Sequence, residues 1–132
     1  MIQAEHRLYV DIAAYLQDQY PDVIYRFDLA ADLKLTPGQA AKHKRLHPER
    51  GYPDLFIANP SRDFWLHGLF LELKAEGNNP FKKDGTLKKD KHLVEQEKML
   101  ERLRKLGYIA EFAVGFDEAK KLIDDYLGAC DG

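Results

Sequence analysis

A carboxylate and an amine share one face of a short apolar stretch. In Leu69-Phe70-Leu71-Glu72-Leu73-Lys74, strand alternation sends the three leucines to one side and Glu72 and Lys74 to the other. On its own a Glu-x-Lys pair reads as a solvent-facing ion pair on a one-sided sheet, a common and weakly stabilising arrangement. Asp54 shifts that balance. It follows Gly51-Tyr52-Pro53 at the head of the apolar run Leu55 to Ala58, and a proline fixes the backbone so that the next side chain can be aimed. Where two such runs form a hairpin, the start of the first lies beside the end of the second, and Asp54, Glu72 and Lys74 converge. Acidic oxygens so gathered suit a hard cation such as Mg²⁺ or Mn²⁺, which polarises a phosphodiester and lowers the pKa of water. Lys74 would orient that water or neutralise developing charge.

Two further polar residues fall on apolar helix faces. Glu5 shares a stripe with Leu8, Ile12 and Leu16, which turns a carboxylate toward the sheet as a metal ligand. The competing reading is a wet carboxylate at a frayed helix start, helped by the helix dipole. Gln96 lies on the stripe of Leu93, Leu100 and Leu103. A buried amide needs partners: water, a phosphate oxygen or Lys74, or equally a nearby backbone group.

Cations surround these positions. Lys42, Lys44, Arg45 and Arg50 lead into Asp54, and Lys82, Lys83, Lys88, Lys89 and Lys91 crowd the stretch from Gly77 to Lys91. Both segments read as phosphate-holding surfaces for DNA or as solvated loops. His43 and His47 have no further His or Cys cluster nearby and do not make a metal site. Phe64, Trp65 and Leu66 would pack in a core, their more frequent fate, or if exposed form a dimer surface or a wedge between bases.

The elements that must position these residues follow from periodicity and turn chemistry. A first helix is expected from Ile2 to Gln19, stopped by Pro21, and a strand from Val23 to Leu29. Thr36-Pro37-Gly38 reads as a turn, or Thr36 caps a short helix that starts on Pro37 and runs to Lys42, followed by a basic loop from His43 to Gly51. Strands at Leu55–Ala58 and Leu69–Ala75 flank a turn or a longer hairpin loop, and Gly77 to Lys91 forms a long exposed loop or a ragged hairpin. A helix from His92 to Leu106 ends on Gly107, a strand covers Tyr108–Val114, and Asp117 caps a last helix that ends at Leu127 before Gly128. The pattern is an α/β domain with a mixed sheet, because the helix between the third and fourth strands makes a βαβ crossover.

Bulk properties agree with one domain over residues 1–132. The hydrophobic fraction is 45% and the charged fraction 32%, values of an ordinary globular chain. A net charge of −2 argues against coating nucleic acid with the whole surface. Distribution matters more: from Arg26 to Arg50 six basic residues stand against three acidic ones. The single cysteine, Cys130, excludes an internal disulfide and a Cys-based zinc site. With no long apolar run, the expectation is a cytoplasmic protein of a prokaryotic or phage-infected cell, with no membrane partner.

Taken together, Glu5, Gly51-Tyr52-Pro53-Asp54-Leu55, Glu72-Leu73-Lys74, Gln96 and Leu106-Gly107-Tyr108 before Asp117-Glu118-Ala119 resemble the virus-type replication-repair nuclease domain (VRR-NUC) of the PD-(D/E)xK nuclease superfamily. The resemblance covers nearly the whole chain. It implies a restriction-endonuclease-like fold and metal-dependent cleavage of DNA, often branched, by a homodimer. By that pattern Asp54 and Glu72 bind metal, the Leu73 carbonyl adds a ligand, Lys74 serves catalysis, Glu5 completes the site and Gln96 supports it. Tyr52 is bulkier than the pattern's residue before Pro-Asp, and the segment from Pro80 to Lys91 is longer and more basic, which leaves substrate preference open. The alternative is a non-catalytic nucleic-acid-binding or assembly module of the same fold.

Overall fold

A computed structural model describes residues 3–28 and 34–128. The expected contributions of Ile2 to the first helix and of Leu29 to the first strand, and the position of Cys130, lie outside them. The order is α1 (Gln3–Gln19), β1 (Tyr25–Phe27), α2 (Pro37–Leu46), β2 (Leu55–Ile57), β3 (Leu69–Lys74), α3 (Lys91–Lys105), β4 (Ile109–Val114) and α4 (Gly115–Leu127). The four strands form one sheet in the order β1-β2-β3-β4. β1–β2 and β2–β3 are antiparallel and β3–β4 is parallel, with α3 as the crossover. The mixed sheet and its flanking helices give a restriction-endonuclease-like α/β architecture.

Each face of the sheet carries its own core. Leu69, Leu71 and Leu73 pack with Leu8, Ile12 and Leu16 of α1 and with Ala119, Ile123 and Tyr126 of α4. On the opposite face Phe70 and Phe112 meet Met99, Leu100 and Leu103 of α3. Five of the six residues of β3 are buried, so both faces are covered and the one-sided sheet behind the surface ion-pair reading does not exist.

Three local expectations are corrected. Residues 43–46 are helical rather than loop, since α2 runs to Leu46. Helix-forming residues carry it on, a capping box joins Thr36 and Gln39, and His43, Lys44 and Arg45 occupy its last turn, where cations suit the negative end of the helix dipole. α4 begins at Gly115 instead of after Asp117, with Val114 at the cap position and no side-chain cap. Gly115 has φ 80°, which lets the chain turn from strand into helix without a linker. Phe64 and Trp65 do not enter the core: they are 79% and 81% exposed.

The segment after β3 takes the ragged-hairpin form. Phe81 and Leu87 form an antiparallel bridge around the Asp84-Gly85 turn. Asp84 accepts from the backbone N–H and hydroxyl of Thr86. Phe81 seats edge-on against Phe112, ring centroids 5.6 Å apart, so this arm is pinned to the sheet.

Candidate active site

The two carboxylates are brought together by strand register. β2 and β3 pair Leu55 with Leu71 and Ile57 with Leu69. Continued one step past the last ladder pair, that register sets Asp54 opposite Glu72, on the α3 face. Directly opposed residues stand within side-chain reach, and like charges there repel. Pro53 precedes, and the ladder ends at Leu55. The Leu73 N–H finds the Asp54 side chain instead, donating to Oδ2 at 2.8 Å. The Asp54 carbonyl in turn accepts from the Asp28 N–H at 2.7 Å. Asp54 is thus clamped through one carboxylate oxygen and its main chain, and its carboxylate also meets that of Glu72.

Glu72 is only 4% exposed. Burial pushes its carboxyl well above the ordinary carboxylate range. A hydrogen bond with Asp54 and the charges of Asp54 and Glu5 reinforce the rise, and Lys74 opposes it. The rise reflects the cost of placing two like charges together in a buried site.

Lys74 makes no direct ion pair with Glu72. Its Nζ donates to Gln96 Oε1 at 2.9 Å and stands 6.0 Å from the centroid of Phe112. Of the partners open to Gln96, the structure shows Lys74. Glu5, in the first turn of α1, is half-buried and shares the wall of a groove with Lys74. Among the described residues no three His, Cys, Asp or Glu side chains are grouped closely enough to hold an ion by themselves. Asp54 and Glu72 are the compact pair, and Glu5 acts on them through its charge.

Gly51 sets the distance between the two halves of the site. It has φ 76°, and a Cβ there would stand 2.7 Å from the Glu95 carbonyl oxygen and 3.0 Å from Gln96 Cα. Only glycine lets the segment leading to Asp54 lie against the α3 backbone that carries Gln96.

The cations do not enter the site. Lys42, Lys44 and Arg45 are exposed on α2, which buries no residue, and Arg50, Lys82 and Lys83 are exposed on the connecting segments. Glu49 pairs with Arg102 of α3, Nη1 to Oε2 2.7 Å, fastening the segment before Arg50 to the body. The sequence reading did not single out Asn78 or His92, which line the groove beside Lys74. A clue was the position of each at an edge of the lysine-rich arm.

The donor set fits a hard divalent cation: two opposed carboxylates, that of Glu72 buried, with the charge of Glu5 acting on Glu72. A solved structure described as a VRR_NUC domain protein superposes on the chain with a TM-score of 0.64 at 26% identity, covering 98% of this chain and 92% of that one. No protein-family model and no curated relative matches the sequence. The chain has the VRR-NUC fold. Among the described residues no helix is long and apolar enough to cross a membrane.

Proposed function

We propose that the protein is a Mg²⁺- or Mn²⁺-dependent endonuclease that cleaves DNA. The observation that carries this reading is the opposition of Asp54 to the buried Glu72, beside a lysine aimed by Gln96. Asp54 and Glu72 would hold the cation, with Glu5 and the Leu73 carbonyl as further ligands. When bound there, a hard divalent cation supplies Lewis-acid polarisation of the phosphate and acidifies water.

The remaining work belongs to the chain. The Leu73 N–H fixes one oxygen of Asp54 so that the pair is preorganised for the ion. Lys74, held by a neutral amide and not by a carboxylate, keeps its positive charge available for the phosphate or for orienting the attacking water. The apolar surroundings of Phe70 and Phe112 lower the local dielectric and strengthen both effects. The exposed cations of α2 and of the arm after β3, Lys82 and Lys83 among them, would bind DNA phosphates. Branched DNA in replication, recombination or repair is the proposed substrate, acted on by a homodimer.

The test is cleavage of linear, flapped and four-way DNA by purified protein, with its mass in solution measured alongside. Cutting should require Mg²⁺ or Mn²⁺. Asp54→Ala and Glu72→Ala should lose it by more than about 10³-fold while retaining DNA binding. Binding without cutting by the unaltered protein under all metal conditions would leave a non-catalytic module of the same fold.

A further inference from the structure

The groove beside Lys74 joins two residues of the proposed site, Glu5 and Lys74, to residues with no other assignment. It has a volume of about 350 Å³, and its walls include Glu5, Lys74, Asn78, Lys88, His92 and Leu93. Lys74 therefore faces two ways: its amine bonds to Gln96 within the carboxylate site and its side chain opens on the groove. Anything lying in the groove continues directly from the site.

The groove's outer wall is ordered. The Asn78 N–H donates to the Ala75 carbonyl at 3.0 Å and the Lys88 N–H to the Pro80 carbonyl at 2.9 Å. Asn79 Oδ1 accepts from the Phe81 N–H at 2.9 Å. At the far side Asp90 caps α3 by accepting from the N–H groups of His92 and Leu93, which commits its carboxylate to the helix. The side chains of Asn78, Lys88 and His92, by contrast, make no hydrogen bond or ion pair with any described residue. A positive charge, an amide and an imidazole thus converge on one groove with unused donors. Leu93 offers an apolar strip beside them. That combination suits a phosphodiester with its sugar, a charged oxygen cluster next to a weakly polar ring.

We propose that this groove is the subsite for the nucleotide adjoining the scissile phosphate, with Lys88 and His92 holding the neighbouring phosphate and Asn78 the sugar or a phosphate oxygen. The assignment rests on the nuclease reading of Asp54, Glu72 and Lys74 and adds residues that position the strand. Lys88 and His92 are positioning residues: they place the strand and touch no reacting atom.

Binding is measured by fluorescence anisotropy in EDTA, where no cutting occurs, and turnover separately in Mg²⁺. Lys88→Ala and His92→Ala, both at exposed positions without protein partners, should each weaken DNA binding by about tenfold and raise KM, with kcat at saturating DNA within about twofold. A neutral methylphosphonate replacing the phosphate next to the scissile one should weaken binding to the unaltered protein similarly. It should cost the Lys88→Ala/His92→Ala variant nothing further, because the two changes remove the same contact. Unchanged binding in the double variant, or additive losses with the methylphosphonate on either side of the cut, overturns the subsite. Failure of the nuclease reading looks different: DNA binds, and the groove variants can still be scored, but no cleavage follows. Absence of any DNA binding overturns both.

Discussion

Asp54 and Glu72 oppose one another one step past the antiparallel ladder of β2 and β3, and like charges so placed repel. Burial and the neighbouring Asp54 raise the folded pKa of Glu72. Above its unfolded value the unfolded chain releases the proton more readily, so the pair's stability is lost as pH rises. Replacing Glu72 with the isosteric neutral Gln removes the charge and keeps the hydrogen-bonding shape. Metal-free Glu72→Gln is therefore expected to melt several degrees higher than the unaltered protein at pH 8 by differential scanning fluorimetry. It should also lose the stabilisation that saturating Mn²⁺ confers on the parent, and lose cleavage. This opposition of stability and function is the usual sign of a site held under electrostatic stress. A lower melting point for Glu72→Gln would mean that the carboxyl is structural.

At the scale of elements, a tyrosine pair from α1 and the helix–strand connection after it meets one carboxylate of α4. Asp124 Oδ1 accepts from Tyr15 and from Tyr20, the latter at 2.7 Å, and Oδ2 accepts from Lys120 at 3.0 Å. Burial pushes Asp124 up, but the hydrogen bonds from Tyr15, Tyr20 and Lys120 outweigh it and hold the carboxyl below its ordinary value. For an acid with a lowered folded pKa, the contribution is complete above the unfolded value, about 3.9, and is lost as pH falls through the folded value. Urea unfolding should show Asp124→Asn less stable by about 1–3 kcal/mol at pH 7. The gap should narrow below pH of about 3.5; a constant gap would assign the loss to packing instead. The same scale explains what could be read in advance. Alternating leucines in β3 and the stripes of α1 and α3 gave the sheet faces and singled out Glu72, Lys74 and Gln96 as candidates, because periodicity reports which side of an element a residue takes, while Asp54 was singled out by its place after Pro53. Register was not legible: only the Leu55–Leu71 pairing sets Asp54 opposite Glu72. Nor were the full span of α2, the direct passage of Val114 into α4 at Gly115, and the groove at Asn78 and His92. Those depend on a dipole, a positive φ and an arm docked by Phe81, none of which has a period.

Over the whole molecule the charge is slightly negative, −2, so the DNA association proposed for it has to come from where the cations sit. α2 contributes Lys42, Lys44 and Arg45 on a helix that buries nothing, which makes it an electrostatic surface with no share in the core. Its connection to the site is short: Glu49 anchors to Arg102 on α3, and Gly51, Pro53 and Asp54 follow. Under the proposed function, a duplex seated on the carboxylates would extend toward α2 while its cut strand would run along the groove at Lys88 and His92. Phosphates neutralised by lysine or arginine release bound counterions, so the logarithm of affinity falls with the logarithm of salt in proportion to the contacts made. Replacing Lys42, Lys44 and Arg45 together by alanine, a strong helix former, should leave the melting temperature almost unchanged. It should make the salt slope of DNA binding less negative by up to about 3, roughly 1 for each phosphate contact removed, equally for linear and branched DNA. An unchanged slope would take α2 off the DNA. A slope lowered only for branched substrates would show instead that α2 meets a second duplex arm, and so that the cation surface takes part in choosing the substrate.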